Sequence, residues 1–186
     1  NITIAKDLIG TQVWWPQMGI YSLDELIPGQ AYEIKISDNI TLSFPACSKS
    51  GIVQQNQIQN TVESGFGEVR FTPVTHTIAF PAEVLQDVPG NCQIGVFNGN
   101  GEIYGLSPGF TGKALAVIAN GDDPATQEID GFVEDEIIYF RIIEPKAGTD
   151  TKLSVGYDKN LPNTGYFTNH GLSAIANIEF TGVEDM

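Results

Sequence analysis

Short runs of β-branched and aromatic residues recur along this chain, and glycine and proline interrupt them at short intervals. Residues 32–36 alternate between apolar and polar side chains, whereas residues 114–119 and 137–143 are almost continuously apolar. Alternation is typical of a half-buried strand, and a short apolar run is typical of a fully buried one. The pattern predicts an all-β fold with a β-sandwich or jelly-roll-like main domain. Further predicted strands are 75–80, 94–97, 102–105, 152–157 and 174–180.

Local turn signals predict two hairpins and one short helix. The Ser-Asp-Asn sequence at 37–39 separates the β-rich runs 32–36 and 40–44, which predicts a hairpin. Asn-Gly chemistry at 98–101 predicts a second hairpin turn. The sequence Ser-Leu-Asp-Glu at 22–25 is a capping-box pattern, and Pro-Gly follows it closely, so one or two helical turns are expected there.

A polar, Gln/Asn-rich stretch without periodicity divides the predicted strands into two groups. With 186 residues, the chain is long enough for one large or two small domains. We expect a small N-terminal β unit at 1–50, a connector at 51–70 and a β-sandwich domain at 71–186. Because the chain starts inside a strand-like run, we expect the first unit to be a truncated module whose partners include neighbouring domains of the same polypeptide.

The charge balance restricts the class of ligand. Nine Lys and Arg residues against 23 Asp and Glu residues give a net charge of −14. Nucleic acid and anionic lipid both require clustered cations, so neither is an expected partner. Neutral ligands or divalent cations fit this composition better. No apolar run approaches the roughly 20 residues that span a bilayer, so membrane insertion is not expected.

The two cysteines, Cys47 and Cys92, lack the close spacing of a zinc site. In an oxidising compartment they could form one disulfide. The alternative is two unpaired buried thiols that behave as small hydrophobic residues. The sequence leaves both alternatives open.

Seven carboxylates and no cation lie between Asp122 and Glu136. Their mutual repulsion would be relieved by Ca²⁺, which takes six to eight oxygen ligands. Asp122, Asp123 and Asp130 are the best candidate ligands, because the adjacent glycines permit tight turns that expose carbonyl groups. The alternative is a solvated loop whose acidic residues cap turns.

Adjacent tryptophans form the second candidate site. On a strand, one of Trp14 and Trp15 faces inward and the other outward. The outward indole beside Tyr21 could stack on a sugar ring, which predicts Trp14, Trp15 and Tyr21 as ligand-binding residues for neutral polysaccharide or a surface glycan. The alternative is packing in the core or against a neighbouring module. The same alternatives apply to Tyr157, Tyr166 and Phe167.

No catalytic motif is present in the sequence. His76 and His170 are far apart, and His76 lies in a predicted strand, which favours a structural role. The motifs of serine hydrolases, zinc proteases and phosphate-binding loops do not occur. A glycosidase requires two carboxylates on opposite sides of a cleft, whereas the acidic residues here cluster in one loop. The chain is therefore not expected to be an enzyme.

Residues 15–20 (WPQMGI), 26–35 (LIPGQAYEIK) and 44–46 (FPA) match a "YWPxxGI…PGQGYQIK" segment with a closing "FPA" strand. This segment resembles part of the extracellular β-modules found in large secreted and surface proteins of Bacteroidetes. The initial "GWN" strand of such modules is missing. The second resemblance is to the "GDEIGVF…GDDxxTxExDGF" module that often follows, and it is matched at 75–81, 90–97, 120–123, 130–132 and 136–141.

The second match departs from its pattern at two places, where Asn91-Cys92 replaces an acidic pair and Asn120 replaces a tryptophan. The resemblance implies an extracellular or cell-surface module attached to a larger protein. We therefore expect a non-catalytic accessory or binding module that aids attachment to polysaccharide or a surface. The alternatives are a structural spacer or assembly module and a fragment of a glycoside-active enzyme.

Overall fold

Strands make up nearly all of the regular structure, as the short β-rich runs predict. The computed structural model describes residues 1–43, 61–64, 66–144 and 148–181. Within these ranges thirteen strands form three sheets, and the helical segments are two 3₁₀ turns, Pro16–Met18 and Ala82–Leu85. The predicted all-β, sandwich-like fold is confirmed. No helix in the described ranges has the length and apolar character required to cross a membrane.

Two small sheets form from the first six strands. Four strands pair antiparallel in the order β3-β2-β1-β4, and β5 and β6 form a separate hairpin. Their bounds are β1 Ile2–Asp7, β2 Val13–Trp15, β3 Ile20–Tyr21, β4 Tyr32–Ile36, β5 Thr61–Ser64 and β6 Gly67–Arg70.

The third sheet has seven strands in the order β10-β7-β13-β12-β11-β8-β9. All its neighbours are antiparallel except β13 and β7, which run parallel with Leu172 opposite Thr77. The hairpin predicted around residues 98–101 is confirmed as the β8–β9 connection. The bounds are β7 Thr75–Phe80, β8 Gln93–Phe97, β9 Ile103–Leu106, β10 Leu115–Asn120, β11 Tyr139–Glu144, β12 Thr149–Tyr157 and β13 Gly171–Phe180.

The seven-stranded sheet curls until its edge strands β9 and β10 approach each other. A Cβ atom at Gly105 would lie 2.3 Å from the carbonyl oxygen of Ile118, so the approach requires glycine on β9. The inner face encloses an apolar core, because removing apolar side chains from water is the main favourable contribution to folding. Its largest fully buried members are Phe80, Phe132, Phe167, Ile78, Leu85, Ile94 and Ile175.

The outer face of the large sheet is covered in two places. The small four-stranded sheet packs Val13, Trp15 and Ile20 onto β7, β10 and β13, and all six residues of β7 and of β10 are buried as a result. The β5–β6 hairpin packs Val69 onto Phe97 and its neighbours. Burial on both faces confirms that the apolar run 114–119 is a buried strand.

Two local predictions are wrong. Residues 40–43 are not a strand, and β4 pairs with β1 instead, placing Ile34 opposite Ala5. The segment 22–27 is not helical, because the Ser22 hydroxyl is bonded elsewhere. It accepts the Val13 N–H at 2.8 Å and donates to the Val13 carbonyl at 3.1 Å, so it does not cap a helix.

The predicted connector contains regular structure in its described part, since residues 61–70 include the β5–β6 hairpin. Residues 44–60 lie outside the described ranges, and the division into units at 1–50 and 71–186 stays a prediction.

Cys47 also lies outside these ranges. Cys92 is buried, and burial raises the pKa of its thiol. The Cys47–Cys92 disulfide therefore stays a prediction too.

Candidate functional site

Trp14 and Trp15 face opposite sides of the small sheet, as their adjacency predicts. Trp14 lies opposite Tyr21, and Trp15 lies opposite Ile20. Trp15 has no exposed surface and packs between the two sheets. The prediction that Trp15 binds a ligand is therefore wrong. Trp14 is partly exposed and Tyr21 is 62% exposed, so these two form an outward aromatic pair.

The acidic loop is closed by hydrogen bonds from its own backbone. Asp122 N donates to the Phe132 carbonyl at 2.8 Å at the neck of the loop. Asp122 Oδ1 accepts the Asp130 N–H at 3.1 Å, and Asp130 Oδ1 accepts the Asp123 N–H at 3.0 Å. Asp123 Oδ1 accepts the Ala125 N–H at 2.9 Å. All three candidate calcium ligands therefore stabilise the loop with their carboxylates.

Arg70 supplies a cation that the sequence of the loop lacks. Its Nη1 lies 2.9 Å from Asp130 Oδ2. Burial raises the pKa of Asp130, but the Asp123 N–H and the Arg70 guanidinium outweigh this effect and hold the pKa below its ordinary value. Sequence reasoning missed this pair, because Arg70 precedes Asp130 by 60 residues.

Within the described residues, no three His, Cys, Asp or Glu side chains converge so as to hold a metal ion. Asp122 Oδ1 and Asp130 Oδ1 accept backbone N–H groups, and Asp130 Oδ2 pairs with Arg70. Calcium binding at Asp122, Asp123 and Asp130 stays a prediction, and it requires Asp130 to exchange Arg70 for the ion.

A groove of about 720 Å³ lies on the part of the large sheet that neither the small sheet nor the β5–β6 hairpin covers. Its lining includes Asn98, Ile137, Tyr139, Arg141, Lys152 and Tyr166. We call this feature the tyrosine groove. It lies on β11 and β12, between the surfaces covered by the small sheet and by the β5–β6 hairpin.

An exposed apolar row forms one wall of the tyrosine groove. Ile137, Tyr139 and Tyr166 are 45%, 48% and 54% exposed. Residues 137 and 139 share a face because side chains alternate along a strand, and Ile137 lies opposite Tyr166 in an antiparallel bridge. Tyr139 and Tyr166 are therefore diagonal neighbours across this bridge, an arrangement in which the Cα atoms lie about 7–8 Å apart.

Arg141 continues the same face of β11 and is held from two sides. Its Nη1 lies 3.0 Å from Asp150 Oδ2, and its guanidinium carbon lies 4.4 Å from the centre of the Phe97 ring. Cation–π stacking and the ion pair fix the plane of the guanidinium. The remaining N–H groups form a preorganised set of donors beside Tyr139.

The aromatic residues predicted near residue 160 have different environments. Phe167 is buried and stacks on Phe132, with 5.4 Å between ring centres. Tyr157 is partly buried, and burial raises the pKa of its hydroxyl. Tyr166 alone among these three is strongly exposed. Tyr139 was missed because residues 137–143 are almost uniformly apolar. The sequence signal was that Tyr139 and Arg141 alternate with three apolar residues, which the structure buries: Ile138, Phe140 and Ile142.

His76 is a buried structural residue. Its Nδ1 accepts the Thr168 N–H at 3.2 Å, so the proton resides on Nε2, which donates to Ser173 Oγ at 2.7 Å. The Ser173 hydroxyl in turn donates to the Asn163 carbonyl. Burial lowers the pKa of His76 to about 4, which keeps the imidazole neutral and preserves this chain of hydrogen bonds.

His170 lies on the surface, where it connects two sheets. Its Nδ1 is 2.8 Å from Glu33 Oε1, and Glu33 Oε2 is 3.0 Å from the buried ammonium of Lys6. Burial raises the pKa of Glu33, but Lys6 and His170 outweigh burial and lower it overall. These groups stabilise the contact between the small sheet and the start of β13.

Comparison of the chain with protein-family models, with curated proteins and with solved structures gave no match.

Proposed function

We propose that this chain is a non-catalytic extracellular module that helps a larger secreted or surface protein attach to polysaccharide. The tyrosine groove is the proposed site of contact. The observation that favours it is the row formed by Ile137, Tyr139 and Tyr166, each about half exposed on a sheet face that no other element of the described ranges covers. Single exposed apolar side chains are ordinary, whereas a contiguous row favours a binding surface.

The chemistry of the groove suits a sugar chain. A pyranose ring has apolar C–H faces and polar hydroxyl edges, and tyrosine likewise combines an apolar ring with a polar hydroxyl. Asn98 and Arg141 supply hydrogen-bonding groups beside the rings. A groove of about 720 Å³ also lies within the usual range for ligand sites. The rigid sheet holds the rings in place before binding.

The composition of the groove supports a non-catalytic role. Among the described residues that line it, none is Asp or Glu. Glycoside hydrolysis normally requires a pair of carboxylates flanking the bond. The resemblance to extracellular Bacteroidetes modules supports the proposed location and the attachment to a larger protein.

The proposal is tested by affinity electrophoresis in gels that contain β-glucan, xylan, mannan or polygalacturonate. The wild type is compared with the double variant Tyr139→Ala/Tyr166→Ala. A stacked ring contributes on the order of 1 kcal/mol, so loss of two rings is expected to weaken binding by roughly 30-fold. Retarded migration of the wild type in at least one gel, and its loss in the variant, is the expected result.

Tyr21→Ala is the matched control, because Tyr21 is also an exposed tyrosine but lies on the small sheet. We expect it to bind as the wild type does. Weakened binding in Tyr21→Ala alone would assign the site to the Trp14–Tyr21 pair instead. Unretarded migration of the wild type in every gel would contradict the proposal and favour a structural spacer.

A further inference from the structure

Strand β4 forms one edge of the small sheet. Among the described strands its only neighbour is β1. At the two ends of β4, Ala31 and Ser37 form backbone hydrogen bonds of 3.0 and 2.9 Å with the residues that flank β1. The N–H and C=O groups change side with each residue of a strand, so the even-numbered residues of β4 direct theirs away from β1. These residues are Tyr32, Ile34 and Ile36. An edge with unpaired backbone groups is a template for pairing with another chain.

The sequence of β4, Tyr-Glu-Ile-Lys-Ile, is complementary to itself in the antiparallel direction. When Ile34 lies opposite Ile34 of a second copy, Glu33 lies opposite Lys35, and Tyr32 lies opposite Ile36. Opposite charges and aromatic–β-branched pairs stabilise neighbouring strands. A shift of the pairing by two residues places Glu33 opposite Glu33 or Lys35 opposite Lys35, and like charges in that position are destabilising. The charges of β4 therefore favour one register.

Both charged side chains of β4 are accessible to a second copy. Lys35 is exposed, and the ion pairs of the described residues do not include it. Glu33 contacts Lys6 and His170 at 3.0 and 2.8 Å, and 28% of its side chain remains exposed. A carboxylate offers about four acceptor positions, so Glu33 can accept a further hydrogen bond from an ammonium group. Lys35 of a second copy supplies that group.

The outer face of the small sheet is apolar up to the edge at β4. Successive register partners place one residue from each of its four strands in a row across this face. From β3 to β4 the row consists of Tyr21, Trp14, Ala5 and Ile34. Ile36 lies on the same face of β4 as Ile34 and is 45% exposed. Tyr32 of a second copy would cover Ile36, which removes apolar surface from water.

We infer that β4 pairs antiparallel with β4 of a second copy of this chain, with the two-fold axis at Ile34. The pairing joins two four-stranded sheets into one sheet of eight strands. The interface is isologous, because each copy contributes the same strand. The inference does not depend on the proposed function. Five residues from each copy are fewer than the roughly 20–30 of a typical stable interface, so the dimer is weak and forms at high local concentration.

Sedimentation equilibrium tests for this dimer at protein concentrations from about 10 μM to about 1 mM. Salt at about 0.15 M screens the repulsion between two chains that each carry a net charge of −14. We expect a monomer–dimer equilibrium in the wild type. Lys35→Glu turns two attractive pairs into two repulsive ones and is expected to raise the dissociation constant at least roughly 10-fold. Lys113→Glu makes the same charge change at an exposed site outside β4, and this matched control is expected to associate as the wild type does.

Disulfide trapping tests the register independently. In a hydrogen-bonded antiparallel pair the Cα atoms lie about 5.5 Å apart, which a disulfide can span, so Ile34→Cys is expected to form a linked dimer under mild oxidation. Ile36→Cys is the control at a more exposed position. Its two copies lie four residues apart along the paired strands, about 14 Å, and are expected not to link. The wild type, treated in the same way, shows any linkage through Cys47 or Cys92, and peptide mass spectrometry identifies the linked residues.

Circular dichroism checks the folding of each variant, and the disulfide test decides if Lys35→Glu unfolds. The inference would be overturned by a wild type that stays monomeric up to about 1 mM, together with an Ile34→Cys protein that links no more than the wild type. Equal linkage at positions 34 and 36 would also overturn it, because the register would then be wrong. Equal weakening by Lys113→Glu and Lys35→Glu would do the same, because net charge would then control association.

Discussion

Asn120 Nδ2 donates a hydrogen bond to the backbone carbonyl oxygen of Tyr104 at 2.8 Å, across the gap between the two edge strands of the large sheet. Its Oδ1 accepts the Thr72 N–H at 3.3 Å, and the side chain is 1% exposed. Edge strands present unpaired backbone groups that invite association with other chains. Asn120 satisfies one such group, the Tyr104 carbonyl of β9, and thereby connects β9 with β10. It also satisfies the N–H of Thr72, which lies between β6 and β7.

Asn120→Leu is expected to lower the free energy of unfolding by about 2–3 kcal/mol, because it leaves the Tyr104 carbonyl and the Thr72 N–H without their partner. Urea denaturation measures the change. Asn100→Leu, at an exposed position of the 98–101 turn, is the control and is expected to change stability by less than about 0.5 kcal/mol. Equal effects of the two substitutions would show that the contact contributes little.

Sequence periodicity identified most strands of the large sheet, because burial imposes a local pattern on each strand. The run 75–80 became β7 and the run 114–119 became β10 with shifts of at most one residue. The sequence predicted less well which strands pair with each other. The pairing of β4 with β1 depends on contacts across about thirty residues, whereas the hairpin prediction used only the adjacent turn.

The candidate sites were predictable only in part for the same reason. Adjacency alone predicted that Trp14 and Trp15 face opposite sides of a strand. The Arg70–Asp130 ion pair and the Ile137–Tyr166 bridge join segments that are distant in sequence. Local spacing contains no information about such contacts. The compensation of the acidic loop was therefore missed, and Tyr166 was the one exposed tyrosine of the groove that the sequence suggested.

His76 is expected to make stability depend on pH. Burial lowers its pKa from 6.5 to about 4 in the folded protein. Between these pH values the unfolded chain therefore binds a proton at His76 more readily than the folded protein does. The stabilisation that depends on neutral His76 is complete above pH 6.5 and is lost as the pH falls towards 4. The loss from this group is about 3 kcal/mol.

Urea denaturation at several pH values between 7 and 4 measures this dependence. His76→Gln is expected to flatten the part of the curve due to His76, whereas His170→Gln, at the exposed histidine, is expected to retain it. Identical pH slopes in the wild type and His76→Gln would show that another group titrates.

The two tryptophans are expected to differ sharply in their contribution to stability. Trp15→Ala opens a cavity between the sheets and is expected to cost about 3–5 kcal/mol. Trp14→Ala is expected to cost less than about 1 kcal/mol, because its ring is partly exposed. Thermal melting compares the midpoints of the two variants with that of the wild type. Similar midpoints for Trp14→Ala and Trp15→Ala would contradict the inward position of Trp15.

Calcium binding to the acidic loop is tested through its competition with Arg70. An ion at Asp122, Asp123 and Asp130 has to displace Arg70 from Asp130. Millimolar calcium is therefore expected to raise the melting midpoint more in Arg70→Gln than in the wild type, relative to chelator. An unchanged midpoint in both proteins would show that these carboxylates serve the turn alone.

NMR titration tests whether the tyrosine groove is the glycan-binding site. The ¹⁵N-labelled protein is titrated with an oligosaccharide of the polysaccharide that retards it most in the gels, and the shifts of backbone amides are mapped onto the fold. We expect the largest shifts in β11, in β12 and around Tyr166, with β2 and β3 unchanged. The largest shifts in β2 and β3, with none in β11, would contradict it.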